Sequence, residues 1–194
     1  MLSLTYLIIF YTILIKKFKE YFRFMVLNKK DIQAYIDKSP PLVDLLTDPD
    51  TQIQPNGVDL TLDRIFMLNG PGKIDFSNEK RQLPEKKILE YNPEGFIVLK
   101  PGAYGVSFKE ILNLPNHIMA LGRPRSSLIR MGAAVVTAVW DAGYCGRSEA
   151  LLTIHHQEGV CIYENARLLQ LVFFQLTDKT QAYNGIYQGE NVFK

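Results

Sequence analysis

Gly57-Val58-Asp59-Leu60-Thr61-Leu62-Asp63 alternates apolar and polar residues without a break. Successive side chains leave a β-strand on opposite sides, so a period of two marks a strand with one face in a core. On this reading Val58, Leu60 and Leu62 point inward and Asp59 stands on the polar face. The same texture recurs at residues 96–99, 104–108, 118–121, 133–140, 149–155, 160–163 and 168–176. Turn residues such as Pro101-Gly102 separate these runs. Residues 69–86 are rich in Gly, Pro, Asn and charge and read as a loop or a wandering hairpin. Helix is expected in few places. Asn28 can cap one, with Asp31 in its first turn and Ile32, Tyr35 and Ile36 at helical spacing, before Pro40-Pro41 stops it. A short apolar piece, residues 42–46, follows. Ser107 and Glu110 have the spacing of a capping box and predict one helical turn ahead of Pro115. Many short strands and little helix predict a single all-β domain, a sandwich or barrel.

Bulk properties narrow the function. Hydrophobic residues make up 47% and charged residues 22%, which excludes a disordered chain. A net charge of +2 is too small for a nucleic-acid coat, so nucleic acid is not an expected partner. Cys145 and Cys161 lack metal-type spacing, and a disulfide framework is not indicated. A reducing, cytoplasmic compartment fits. Residues 1–15 are almost wholly apolar and are followed by Lys16, Lys17 and Lys19. That run is short for a bilayer span, which needs roughly 17–25 residues, and it lacks a signal peptide's basic start and cleavage site. Residues 1–24 are read as an N-terminal extension from an overlong reading frame, with translation starting at Met25. A membrane is an expected partner only if they are translated and retained. The domain proper is residues 25–194.

Four clusters could carry chemistry. Gly57-Val58-Asp59-Leu60 is the first, although an ordinary strand start would look the same. The second is residues 122–132, where Arg123, Arg125 and Arg130 sit beside the paired hydroxyls of Ser126 and Ser127. Guanidinium forks match phosphate oxygens in pairs, so this density of donors suits a triphosphate. The third, Trp140-Asp141-Ala142-Gly143-Tyr144-Cys145-Gly146, is a tight turn between two strand-like runs. Gly143 and Gly146 let backbone approach a ligand, Tyr144 can lie against a sugar or base, and Asp141 can hold a water as general base. Asp141 as a plain turn former is the competing reading. In the fourth, Asn165-Ala166-Arg167-Leu168-Leu169-Gln170-Leu171, Gln170 interrupts an apolar strand and needs a partner if buried. There is no P-loop, dinucleotide fingerprint or zinc-deaminase signature. His155-His156 has no partners at metal spacing and reads as structural or surface.

In this order the four clusters resemble the motifs of the dUTPase and dCTP deaminase superfamily, most closely the archaeal-type dUTP pyrophosphatases. The resemblance runs from Met25 to Gly189. Arg125-Ser126-Ser127-Leu128 is its most specific piece, and Tyr187-Gln188-Gly189 resembles a C-terminal lid within residues 181–194. The resemblance implies a distorted jelly-roll, or β-clip, assembled as a homotrimer with sites at subunit interfaces. It implies a deoxynucleoside triphosphate substrate with Mg²⁺ held mainly by the nucleotide and waters. Asp141 would position the water that attacks the α-phosphorus. Tyr144 would pack on the deoxyribose, and backbone around residues 138–146, Gly143 included, would read the uracil edge. Arg125, Ser126, Ser127, Arg130 and Gln170 would meet phosphate, and Tyr187 and Gln188 would contact substrate from the lid.

The branches differ in one residue. The deaminases of this superfamily place a glutamate five residues past the last glycine of the turn, and here that position is Leu151. Glu149 shares its strand face but lies about 6–7 Å along the strand. Hydrolysis of dUTP to dUMP and pyrophosphate is therefore the expected activity. A dCTP deaminase, a bifunctional deaminase and pyrophosphatase, or a non-catalytic nucleotide-binding regulator are the alternatives.

Overall fold

The structure is a computed structural model that describes residues 11–12 and 26–192. Apart from Tyr11 and Thr12, the extension at residues 1–24 lies outside the described residues. Three short helices are described from Val26 onward: α1 (Lys29–Ile36), α2 (Pro49–Gln52) and α3 (Ser126–Arg130). The strands are β1 (Val43–Asp44), β2 (Ile53–Gln54), β3 (Gly57–Asn69), β4 (Glu85–Ile88), β5 (Phe96–Leu99), β6 (Gly102–Phe108) and β7 (Ile111–Asn113). They continue as β8 (Ile118–Pro124), β9 (Ala133–Val136), β10 (Val139–Trp140), β11 (Cys145–Gly146), β12 (Glu149–Ile154), β13 (Val160–Tyr163) and β14 (Arg167–Gln175). The fold is all-β with a few short helices, as expected for a distorted jelly-roll, or β-clip.

The main sheet runs β10-β8-β14-β3-β6-β12-β9, with β2 and β4 also paired to β3. Strand β3 organises it. Its first half pairs with β14 and its second half with β6, so one long strand serves both parts of a curled antiparallel sheet. A register shift between Leu62 and Arg64 marks the changeover, as bulges do where sheets bend. The core fills the curl with Leu60, Leu62, Ile65, Phe108, Ile118, Leu152 and Phe173, all fully buried. Two smaller sheets, β1-β7-β11 and β5-β13, close the sides.

The helix at the domain start forms as its sequence requires. The Asn28 side chain accepts from the Asp31 N–H at 3.1 Å, and Ile32 is buried. Three expectations need correction. Asp59 is not on a solvated face: it is 2% exposed, because the first half of β3 is covered on both sides. Ser107 and Glu110 form no capping box. Ser107 is consumed in strand β6, paired to Arg64 and Glu149, and the chain re-enters a strand at Ile111. Glu110 turns inward instead, accepting from Thr61 N–H, Thr61 hydroxyl and Gln52 amide at 2.9, 2.6 and 2.7 Å. Burial pushes its carboxyl above the usual value. Third, residues 133–140 are two strands. β9 pairs with β12 and β10 with β8, so the chain changes sheet edges between Val136 and Val139.

Candidate active site

The turn that follows β10 is built by glycine. Tyr144 N–H donates to the Asp141 carbonyl at 3.1 Å, and Gly143 has φ +85°, a conformation that a side chain strains. The turn does not join two paired strands. β10 lies on the main sheet, whereas β11 pairs with β7 on the small one. Asp141 is therefore held at a junction between sheets, exposed at the edge of a cavity of about 620 Å³. That volume suits a small organic ligand.

The cavity has three walls. The first is the turn itself, with Val139, Asp141 and Tyr144. The second is the inner ends of β3, β4 and β12, with Phe66, Leu68, Lys86, Glu149 and Leu151, reached from the long connection by Leu83 and Pro84. The third is the C-terminal segment, with Tyr183, Tyr187 and Glu190. Most of the lining is apolar, and among the polar groups two pairs are mutually engaged, whereas the buried Ser148 hydroxyl has no hydrogen-bond partner among the described residues. Lys86 Nζ meets both oxygens of Glu149 at 2.7 and 2.6 Å. The Tyr144 hydroxyl donates to Glu190 Oε1 at 2.8 Å, and its ring meets Tyr183 edge-on. Burial first, and then the Glu190 carboxylate, hold the Tyr144 phenol far above its ordinary pKa, so it stays a donor. A floor of small volume makes room. A Cβ on Gly105 would fall 1.9 Å from the Phe66 ring, so the ring lies flat over that strand.

The arginine-serine segment lies elsewhere. Asp59, Gln170 and Arg123 form one cross-strand row on β3, β14 and β8. The Asp59 carboxylate joins Arg125 Nε at 3.0 Å and Arg167 Nη1 at 3.1 Å. Burial pushes the Asp59 carboxyl up, against the pull of both arginines. Gly57 is required here, because a Cβ would meet the Leu171 carbonyl at 2.6 Å and the Gln170 side chain at 3.0 Å. Ser126, Ser127 and Arg130 are exposed on α3. None of Arg125, Ser126, Ser127, Arg130 or Gln170 lines the cavity. The structure thus brings Asp141, Tyr144 and Tyr187 together around the cavity and the phosphate-type donors together on another part of the same chain. Gly143 and Gln188 stand behind the cavity wall, bonded to each other through the Gly143 carbonyl at 3.0 Å. Among the described residues, no group of three or more His, Cys, Asp or Glu side chains is placed to hold a metal ion.

Sequence reasoning overlooked Phe66, Lys86 and Tyr183. Lys86 and Phe66 come from the irregular 69–86 stretch and its neighbouring strand, where the pattern carries little information. Gly105 was the available signal, since a glycine inside a strand often marks a close approach.

The chain matches the family described as dCTP deaminase-like over residues 26–176. It is 44% identical over 168 residues to a probable deoxyuridine 5'-triphosphate nucleotidohydrolase of Methanococcoides burtonii, covering 86% of this chain and 99% of that protein. A protein of the same description from Archaeoglobus fulgidus is 46% identical over 167 residues, covering 86% of this chain and 98% of the relative. Among solved structures, the 2'-deoxycytidine 5'-triphosphate deaminase from Agrobacterium tumefaciens shares the fold with a TM-score of 0.60 at 21% identity. The match covers 78% of this chain and 48% of that one. With four motif segments set on one β-clip and the family match spanning nearly all of the described domain, this chain belongs to the dCTP deaminase-like family.

Proposed function

We propose that this protein hydrolyses dUTP to dUMP and pyrophosphate, with Asp141 positioning the attacking water. One observation carries the choice against deamination. Leu151, the position to which the resemblance assigns the deaminases' glutamate, lines the cavity with a side chain that cannot shuttle a proton, and Glu149 beside it is tied by both oxygens to Lys86. The relatives' description as deoxyuridine 5'-triphosphate nucleotidohydrolases supports the same reading. The apolar lining takes the base and sugar, with Tyr144 packed against the deoxyribose and no space for a 2′-hydroxyl. Asp141, exposed at the cavity edge, accepts a proton from the water that attacks the α-phosphorus. Positioning and charge stabilisation supply most of the acceleration in such a transfer.

The triphosphate needs donors that the cavity wall lacks. Arg125, Ser126, Ser127, Arg130 and Gln170 are suited to it but lie apart from Asp141 within one chain. A homotrimer in which a second copy brings these residues to the cavity resolves the separation. Mg²⁺ would be held by phosphate oxygens and waters, since few carboxylates are present and those of Glu149 and Glu190 are engaged. When bound it would neutralise charge on the departing pyrophosphate.

Mixing two inactive variants tests the shared site. Arg125→Ala and Asp141→Asn each abolish turnover. In trimers mixed at equal ratio, a site that draws on two chains is intact in about a quarter of cases, so about a quarter of wild-type activity returns. No recovery would contradict a site shared between chains. Glu149 lining the cavity keeps a second reading in view, and conversion of dCTP by the wild-type protein would favour it.

A further inference from the structure

The C-terminal segment does more than wall the cavity. It runs along residues 142–147 and bonds to them at nearly every step. Tyr183 N–H donates to the Ala142 carbonyl at 2.9 Å, Gly189 N–H to the Cys145 carbonyl at 2.8 Å, and Arg147 N–H to the Glu190 carbonyl at 3.0 Å. The Asn191 amide donates to the Arg147 carbonyl at 2.8 Å. The contact is close. A Cβ on Gly143 would lie 2.5 Å from the Ala182 Cβ. At the centre sits the Gln188 carboxamide. Its Nε2 donates to the Gly143 carbonyl at 3.0 Å and its Oε1 accepts from the Cys145 N–H at 2.9 Å. One planar group thus holds both peptide groups that flank Tyr144, three residues beyond Asp141.

We propose that Gln188 is a positioning residue that acts through the turn, fixing the backbone that carries Asp141 and Tyr144 from the same chain. Without it, the Gly143 carbonyl and the Cys145 N–H lose their partners, and the turn is free to shift. A displacement of about 1 Å at the attacking water costs on the order of a hundredfold in rate. The requirement is for a donor and an acceptor in one plane. Glutamine supplies it at all pH values, whereas glutamate supplies it only when protonated. In the Gln188→Glu variant, an ionised side chain would set a carboxylate oxygen against the Gly143 carbonyl, which raises the introduced carboxyl's pKa above the ordinary value of about 4.3. The other ionisable groups on or against the strap and turn are Asp141, Tyr144, Cys145, Arg147, Tyr183, Tyr187 and Glu190, with Glu149 bonded to Asn191 and Arg81 over the Tyr187 ring. They are common to wild type and variant, so their titration cancels in a ratio of rates.

The inference rests on the Asp141 reading for its activity arm, whereas amide exchange on nucleotide-free protein reads the strap without any substrate. Hydrogen exchange at the Cys145 amide is measured in wild type, Gln188→Ala and Gln188→Glu, and kcat and KM for dUTP are measured from pH 8 to pH 5.5. The expected result is Cys145 exchange faster by about tenfold or more in Q188A at constant global stability. Its kcat should fall about ten- to a hundredfold at every pH with KM nearly unchanged. For Q188E, the ratio of kcat to wild type should climb as pH falls toward about 5.5. Unchanged exchange in nucleotide-free Q188A overturns the proposal, as does a loss confined to KM or a flat Q188E ratio. Absence of dUTP turnover in wild type would instead refute the proposed function and leave the exchange result to decide the strap.

Discussion

Replacing Asp59 with alanine removes the anion that two guanidinium groups share inside the main sheet. Asp59 is 2% exposed, and its Oδ2 lies 3.0 Å from Arg125 and 3.1 Å from Arg167. Breaking a buried pair from one side typically costs about 3–5 kcal/mol, because the stranded charge keeps its desolvation penalty. Here the arginine side chains are 30% and 28% exposed, so each regains part of its hydration when released. A loss of about 2–4 kcal/mol follows. For a domain of this size that is a fall in melting temperature of about 5–15 °C. Asp59→Asn keeps an acceptor in place and should lose about half as much. Urea unfolding at a fixed protomer concentration reads the difference, with Arg167→Ala and the double variant completing a cycle. If stranded arginines cause the loss, adding Arg167→Ala to Asp59→Ala costs little more. A loss below about 1 kcal/mol for Asp59→Ala would place the carboxylate outside a buried network and rule out the stranded-arginine cost.

Gly105→Ala drives a methyl group into the Phe66 ring, 1.9 Å from its nearest atom, and the ring lines the cavity. Stability should fall by about 1–3 kcal/mol and nucleotide affinity should drop, measured by unfolding and by titration calorimetry. Gly143→Ala combines strain at φ +85° with a clash against Ala182, so it should lift the C-terminal strap and raise protease sensitivity after Tyr183. His117 bonds to the Tyr35 hydroxyl at 3.0 Å. Burial, with Lys179 and Lys38, lowers its pKa below the 6.5 of the unfolded chain. The unfolded chain then binds the extra proton, so stability is complete above pH 6.5 and declines as pH falls through the lower folded value. Unfolding measured across that window should show the decline in wild type and not in His117→Gln.

The strands were legible because the curl of the sheet keeps one face of most of them in the core, and that leaves a period of two. The pattern misled where burial is not one-sided. Asp59 sits in an alternating run, yet Arg167 on β14 and Arg125 at the start of α3 cover its face, and no local periodicity encodes a partner at that distance in sequence. Glu110 reads as half of a capping box for the same reason: its partners are Thr61 and Gln52, far back along the chain. At the site, Asp141 and Tyr144 stood out because a glycine-bracketed turn has to be spelled in adjacent residues. Lys86 and Tyr183 did not, because their place on the cavity wall depends on how a long connection and a chain terminus return to the same point.

The most direct test of the account is a substrate panel. Purified protein with Mg²⁺ is given dUTP, dCTP, dTTP or UTP, beside Asp141→Asn, and products are separated by anion exchange. The expected products are dUMP and pyrophosphate from dUTP, with no reaction of UTP and no turnover by Asp141→Asn although dUTP still binds it. Release of dUTP or dUMP from dCTP, or full activity of Asp141→Asn, would contradict it.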